Sequence, residues 1–364
     1  MSGMITISGN NFDVGRELGR YWGGYFSLLK NRGEQSPHYE LFDYYRKYLK
    51  KDRKDTHALQ VNVKTAFPEI WEEIRGMWTG VNEYKKELGF RTKLSGLFSW
   101  ILGETDSDKV EDYWRGCSTA VLRDESGYSM VHSDEYDTID PLVVANVTLK
   151  LKGQKKCFTS ISHPFQLFGS AAGANESFAF QGNSIPCSEQ IFNDLKKSHK
   201  KRRRVPKTVL SRKLLELSTP CEAKKLYQQY PCTLPNHHML ISSQGAHSLQ
   251  VKPVGENMAF LEKIILQKGE AFCHTNHFKG KDDKDDDISW SYKKNKESNN
   301  RLGALEGNIS KALDSSSLER CFLNFINSEK LFTQTTGIFC FRVPNNGKPI
   351  LQKIYLNYGY RRDF

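Results

Sequence analysis

Arg115-Gly116-Cys117-Ser118-Thr119-Ala120-Val121-Leu122 runs into Arg123-Asp124-Glu125-Ser126-Gly127, and then into Tyr128-Ser129-Met130-Val131. Two short apolar runs flank a polar turn that ends in glycine. This predicts two antiparallel strands, with Cys117 at the start of the first. His132-Ser133-Asp134-Glu135-Tyr136-Asp137 closes the second strand with a cluster of acids. A thiol held at a strand end suits a nucleophile. It suits equally a buried structural cysteine, which is the commoner fate of that residue.

Upstream of this hairpin the chain reads as helical. A short strand, Met4 to Ser8, precedes Gly9-Asn10-Asn11-Phe12-Asp13-Val14-Gly15-Arg16-Glu17-Leu18-Gly19. There Asn10 or Asn11 can cap a helix, and Gly15 and Gly19 share one of its faces and permit close backbone approach. Tyr39 to Lys51 and Pro68 to Leu88 are further helices. In the second, Pro68 suits the first turn, and Ile70, Ile74, Met77 and Val81 form one apolar stripe. Leu94 to Leu102 reads as a short helix and Glu104 to Lys109 as a loop.

Downstream of the hairpin, strands dominate: Leu142 to Leu151, Cys157 to Ile161, Ser177 to Gln181 and His238 to Ser242. Leu249 to Pro253, Met258 to Ile265 and Ala271 to Thr275 read as a meander. Gly337 to Val343 and Ile350 to Leu356 flank the turn Pro344-Asn345-Asn346-Gly347. Thr208 to Leu217, Pro220 to Gln229, Asn300 to Leu313 and Leu318 to Ile326 are helices between them, and Lys279 to Asp287 is a charged loop. Helices followed by many strands with helices interspersed make an α+β pattern, with antiparallel sheets whose outer faces need helical cover.

The 364 residues are 38% hydrophobic and 26% charged, which is a globular composition. No apolar run reaches the roughly 18–20 residues of a membrane span, and the N-terminus lacks a secretory pattern. Eight scattered cysteines without a C-x-x-C pair suit reduced thiols in a cytoplasmic protein, and no local metal-ligand spacing occurs, so no metal is expected. The net charge of +11 is concentrated in Lys196-Lys197-Ser198-His199-Lys200-Lys201-Arg202-Arg203-Arg204. That run reads as a solvated loop or as a docking site for an anionic partner. It lacks the interleaved aromatics of a nucleic-acid platform.

If Cys117 is a nucleophile it needs a base. His132, His163, His274 and His277 make a cysteine–histidine pair arithmetically available, although the cysteine-peptidase signature is missing around the thiol. A break of the Gly116–Cys117 bond offers another base. The freed α-amine of Cys117 would lie within reach of its own thiol, with an ordinary pKa near 7.7–8.0. Glycine at 116 leaves room for the thiol to attack that carbonyl.

At this point the chain resembles the acyl-coenzyme A:6-aminopenicillanic acid acyltransferase and carcinine hydrolase family of N-terminal-nucleophile enzymes. Six segments carry the resemblance. Gly9 to Gly15 with Gly19 is similar to the family's opening G-x-x-[FY]-E-[IV]-G-x-x-x-G. Glu72-Glu73-Ile74-Arg75-Gly76 with Gly80 resembles E-E-I-x-G-x-x-x-G. Gly116-Cys117-Ser118-Thr119 resembles the processing site G-C-[TS]-[TS]. Gly173-Ala174-Asn175 with Asn183, Val205-Pro206 with Arg212 and Leu214-Leu215-Glu216, and His274-Thr275-Asn276-His277-Phe278 follow in register.

The resemblance implies an αββα sandwich of two antiparallel sheets between helical layers. It implies a precursor that cuts itself before Cys117 into an α chain (1–116) and a β chain (117–364) that stay associated as one domain. It also implies acyl transfer or hydrolysis through a Cys117 thioester. The partner is then a small-molecule amide or acyl donor, an acyl-coenzyme A among them, with no cofactor, nucleic acid or membrane. Thr119 takes the hydroxyl position of processing, and Asn276 donates its side-chain N–H₂ to the oxyanion. Asn175 and Arg212 fall among the substrate-binding positions. On their own chemistry, Asn175 and Asn183 read equally as turn residues, and Arg212 either as a carboxylate-binding group or as a partner of Glu216 at i,i+4.

The family's acid falls on Glu135, eighteen residues after Cys117, with Asp134 or Asp137 as alternatives. An arginine that acyltransferase members carry aligns near Gln334. The resemblance thus predicts a site without that fixed positive charge, one that hydrolyses a small N-acyl amine rather than loading a carboxylate-bearing acceptor. The alternative is a non-catalytic relative that binds an anionic partner through residues 196–204.

Overall fold

The computed structural model describes residues 4–33, 53–89, 91–95, 97–98, 114–136, 142–185, 194–195, 197–198, 202–252, 259–277, 292–328 and 335–358. The helices expected over 39–51 and part of 94–102, and the loops at 104–109 and 279–287, lie outside them.

The hairpin that opens the β-rich part forms as the sequence predicts. β2 (Trp114–Asp124) pairs antiparallel with β3 (Gly127–Tyr136) around a two-residue turn, with Asp124 opposite Gly127 and Cys117 opposite Asp134. It belongs to a five-stranded sheet ordered β11-β2-β3-β12-β13, in which β11 is Ala271–His274, β12 Thr335–Pro344 and β13 Ile350–Tyr358. The other sheet has eight strands. In chain order they are β1 (Ile5–Gly9), β4 (Val143–Leu151), β5 (Gln154–Ser162), β6 (Ala172–Asn175), β7 (Phe178–Ser184), β8 (Asn236–Ser242), β9 (Gly245–Val251) and β10 (Ala259–Ile264), each beside the next. Only β1 runs parallel to its neighbour, β4.

The expected meander is corrected. β9 and β10 do pair, but β11 leaves them for the second sheet, where it pairs with β2. That crossing brings the segment ending at Asn276 alongside Cys117. The short strand β6 carries no alternating pattern and was not foreseen.

Three apolar clusters define four layers. The first lies outside the eight-stranded sheet, against α1 (Asn11–Asn31), α2 (Arg53–Ala66), α3 (Pro68–Glu83), the one-turn α4 (Lys85–Leu88), α5 (Lys207–Leu214) and α6 (Pro220–Gln229). The second joins the sheets, with Val121, Met130, Phe339 and Phe341 facing Ile161, Ala172, Ala179 and Met239. The third lies between the five-stranded sheet and α7 (Tyr292–Ile309) and α8 (Ser315–Ser328). The order is helix, sheet, sheet, helix, as the expected αββα class requires. Among the described residues no helix is long and apolar enough to cross a membrane.

The helical layer follows from its sequence. Asn10 caps α1 in a reciprocal box with Asp13, an arrangement that satisfies two end donors. Val14, Leu18, Trp22 and Phe26 are buried at intervals of four. Pro68 starts α3, whose stripe of Ile70, Ile74, Met77 and Val81 is buried. The two helices touch through glycine: a Cβ at Gly15 or Gly19 would overlap the α3 backbone at Glu73 and Met77, and one at Gly76 or Gly80 would overlap α1 at Phe12 and Arg16. No larger residue allows that approach.

Candidate active site

Alternation along β2 turns Cys117, Thr119 and Val121 to one face, the face on which Val121 packs between the sheets. The Cys117 Sγ therefore opens into the inter-sheet space. It donates to the Asp134 Oδ1 at 3.4 Å, the acid directly opposite in register. Both residues are buried. The family's acid position falls on Glu135, with Asp134 or Asp137 as alternatives. The pairing puts Glu135 opposite Gly116 instead, so the carboxylate against the thiol is that of Asp134, one residue earlier. The side chain of Glu135, together with Asp137 and Gln334, lies outside the described residues.

Two histidines gather on this acid. His163 Nε2 lies 3.3 Å from Asp134 Oδ2, and His132 Nε2 lies 3.7 Å from Oδ1. Burial pushes the Asp134 carboxyl up. The charge of His163, the largest of the opposing influences, and the Cys117 thiol help to outweigh it and hold the carboxyl below the ordinary carboxylate range. Thr119 sits between layers. Its Oγ1 donates to Asn183 Oδ1 at 3.1 Å and meets His132 Nδ1 at 3.0 Å.

On the other side of Cys117, its backbone N–H donates to Asn276 Oδ1 at 2.7 Å. Asn276 is in place but turned from the expected orientation. Its oxygen faces Cys117, and its Nδ2 donates to the Ser184 carbonyl at 2.8 Å. Ser298 of α7 anchors this segment, accepting from Asn276 N at 3.0 Å and meeting His277 Nδ1 at 2.9 Å. His274 stacks on His237 with ring centroids 3.5 Å apart.

The expectation of a site without fixed positive charge is also corrected. Arg301 of α7 is buried and donates through Nη2 to Asn276 Oδ1. Its guanidinium lies against Gly116, where an added Cβ would overlap it. Gly116 itself has φ +145°, a backbone that side-chain-bearing residues rarely adopt. Gly116→Ala should therefore strain the bond before Cys117. If relieving about 1–3 kcal/mol of such strain moves the Gly116 carbonyl out of line with the thiol, any break at 116/117 should slow by roughly 5- to 150-fold. A time course of intact mass checks this, and an unchanged rate would show that the glycine geometry is incidental.

Asn175 and Arg212 do not join the site. Asn175 lies on the helical face of its sheet, donates to the carbonyls of Leu217 (2.7 Å) and Leu214 (3.4 Å), and accepts from Ser177 and Phe178. Arg212 is fully buried under that same layer, with Nε 2.8 Å from Glu73 and Nη1 2.9 Å from Glu216, over the Phe158 ring. A whole sheet separates them from the face that carries Cys117. Arg204, the last residue of the basic run, is turned inward onto the Cys232 carbonyl at 2.7 Å. Among the described residues no two cysteines form a disulfide.

A profile of the family described as acyl-coenzyme A:6-aminopenicillanic acid acyl-transferase matches residues 124–337, more than half of the chain, starting seven residues after Cys117. No curated protein matches. Among solved structures, an ortholog of N-acylethanolamine-hydrolyzing acid amidase from Caenorhabditis elegans is similar at 11% identity and a TM-score of 0.45. It covers 65% of this chain and 100% of its own. Anbu, an ancestral beta-subunit from Yersinia bercovieri, is similar at 10% identity and a TM-score of 0.30, covering 68% of this chain and 88% of its own.

Proposed function

From the premise that this chain belongs to the acyl-coenzyme A:6-aminopenicillanic acid acyl-transferase family, we propose that it is an autoproteolytically activated amide hydrolase or N-acyltransferase of linear amides. In this reading it works through a thioester on Cys117 and hydrolyses a small N-acyl amine. The observation that carries the reading is the setting of Cys117. Its thiol lies against the Asp134 carboxylate, its nitrogen against Asn276, and the glycine before it against Arg301.

In an uncut chain no α-amine exists, and Asp134 is the group placed to take the thiol proton. Sγ then adds to the Gly116 carbonyl carbon. The C–N bond breaks, the nitrogen takes up a proton, and a Gly116 thioester remains. Water hydrolyses it to a Gly116 carboxylate and a free Cys117. The new amine inherits the contact with Asn276 Oδ1, which holds it beside the thiol it now serves as base. On an external amide the same steps repeat: the thiol attacks, the amine leaves with the proton, and water or an acceptor amine cleaves the thioester. His163 and His132 orient Asp134, and Thr119 orients His132. Arg301 and Asp134 bring both signs of charge to the site, so charge alone does not set amines against amino acids as acceptors.

Intact-mass analysis of purified protein tests the first half. Two chains are expected, one ending at Gly116 and one beginning at Cys117. The cut protein, given a panel of N-acyl amines, should release the amine. One uncut chain after prolonged incubation, with no turnover across the panel, would overturn the reading.

A further inference from the structure

We propose that Cys117, His132 and Asp134 form a three-ligand site for a zinc-class divalent cation, and that the ion masks the thiol. No local sequence motif announces this site. The ligands lie on two strands, and the hairpin register brings them together.

Three observations carry the inference. The thiol sulfur, an imidazole nitrogen and a carboxylate oxygen all lie within 4.8 Å of one another, and all three residues are buried. The Sγ–Oδ1 distance is 3.4 Å and the Nε2–Oδ1 distance 3.7 Å. Four-coordinate zinc, with bonds of about 2.0–2.3 Å, spaces its ligands roughly 3.3–3.8 Å apart, so these two distances match two edges of such a tetrahedron.

The tautomer points the same way. The Thr119 hydroxyl gives its one proton to Asn183, so its contact with His132 Nδ1 is assigned with Nδ1–H as the donor. That tautomer turns the lone pair of Nε2 toward Asp134, where Nε2 is buried without a hydrogen-bond partner 3.7 Å from Oδ1. A nitrogen lone pair and a carboxylate facing each other at 3.7 Å are a place for a cation.

The outer contacts are those a metal site uses. Thr119 fixes the ring of His132, and His163 holds the second oxygen of Asp134. On binding, the Cys117 S–H bond breaks, the proton leaves to the buffer, and the sulfur pair forms the bond to the metal. That pair is then withdrawn from nucleophilic attack. The masking rests on Cys117 being the nucleophile; the ion site does not.

The test uses reduced, metal-free, full-chain protein. Calorimetric titration with Zn²⁺ should show one ion per chain that Cys117→Ala loses. Titration with Co²⁺ should give a thiolate charge-transfer band and the visible spectrum of a four-coordinate ion. His132→Gln should weaken Zn²⁺ binding by at least the 10–100-fold that even an outer partner contributes. Where that variant fails to fold, wild-type protein serves: Zn²⁺ but not Mg²⁺ should protect Cys117 from iodoacetamide. Equal Zn²⁺ stoichiometry in wild-type and Cys117→Ala protein would overturn the proposal, as would a six-coordinate Co²⁺ spectrum or unchanged affinity in folded His132→Gln. Zinc binding without amide turnover would overturn only the function proposed above. Turnover indifferent to a bound ion would overturn the masking.

Discussion

Cys117→Ala protein will remain one chain of 364 residues through prolonged incubation and will release no amine from any N-acyl substrate. The substitution removes the only atom placed to attack the Gly116 carbonyl in this reading. Nothing can then form the thioester, and the α-amine that serves later turnover never appears. Loss of a nucleophile that acts with its partners as a unit costs on the order of 10⁶ in kcat. Cys117→Ser should process slowly, since a hydroxyl is the weaker nucleophile at neutral pH. The folded state should tolerate both, because each change alters little volume and the backbone contact of Cys117 with Asn276 remains. Intact mass and a stopped amine-release assay read the result. Two chains from Cys117→Ala protein, prepared without contaminating protease, would remove the thiol from the cleavage step.

Arg212→Ala should lower stability by about 3–5 kcal/mol, the typical cost of leaving a buried charge unpaired. For a chain of this size that means a fall in Tm of roughly 4–7 °C. Arg212 is fully buried between Glu73 of α3 and Glu216 beyond α5, with Lys213 bridging Glu216 to Glu69. Removing the guanidinium strands Glu73, which is also fully buried. Arg212→Lys would keep a charge but lose the two contacts of Nε with the carboxylate, and should fall between. Changing Glu73 to Gln in the Arg212→Ala background should recover part of the loss, because the stranded charge is gone. A thermal melt within about 1 °C of wild type for Arg212→Ala would show that this pair contributes little. Because Arg212 is far from Cys117 in the layering, the proposed chemistry should survive at temperatures where the variant is folded.

Much of this fold could be read from short-range signals. The strands around the Glu125-Ser126 turn, the cap at Asn10, Pro68 at the start of α3 and the Pro344 to Gly347 turn all announce themselves locally. Asp134 was within reach too. Counting residues outward from a two-residue turn sets it opposite Cys117, but the turn read as Arg123 to Gly127 left the register open by one. What decided the rest was long-range. Arg301 sits on a helix that begins well before its apolar pattern shows, and no local feature ties it to Gly116. The crossing of β11 to the other sheet follows from which edge was free, not from its own residues. Arg212 and Asn175 matched family positions, yet the faces on which they lie make them supports of the helical layer.

The place of β1 has a consequence for how the two halves depend on each other. It is the outermost strand of the eight-stranded sheet, and its sole strand neighbour there, β4, lies beyond Cys117 in the chain. Residues before Cys117 therefore cover that edge. Without them the β4 backbone would present a bare row of donors and acceptors, and Val147 and Leu149 would lose the helices above them. A bare edge of that kind is a template for self-association. The portion after Cys117, made alone, would be a candidate for aggregation, and the stretch before it would serve as a built-in chaperone.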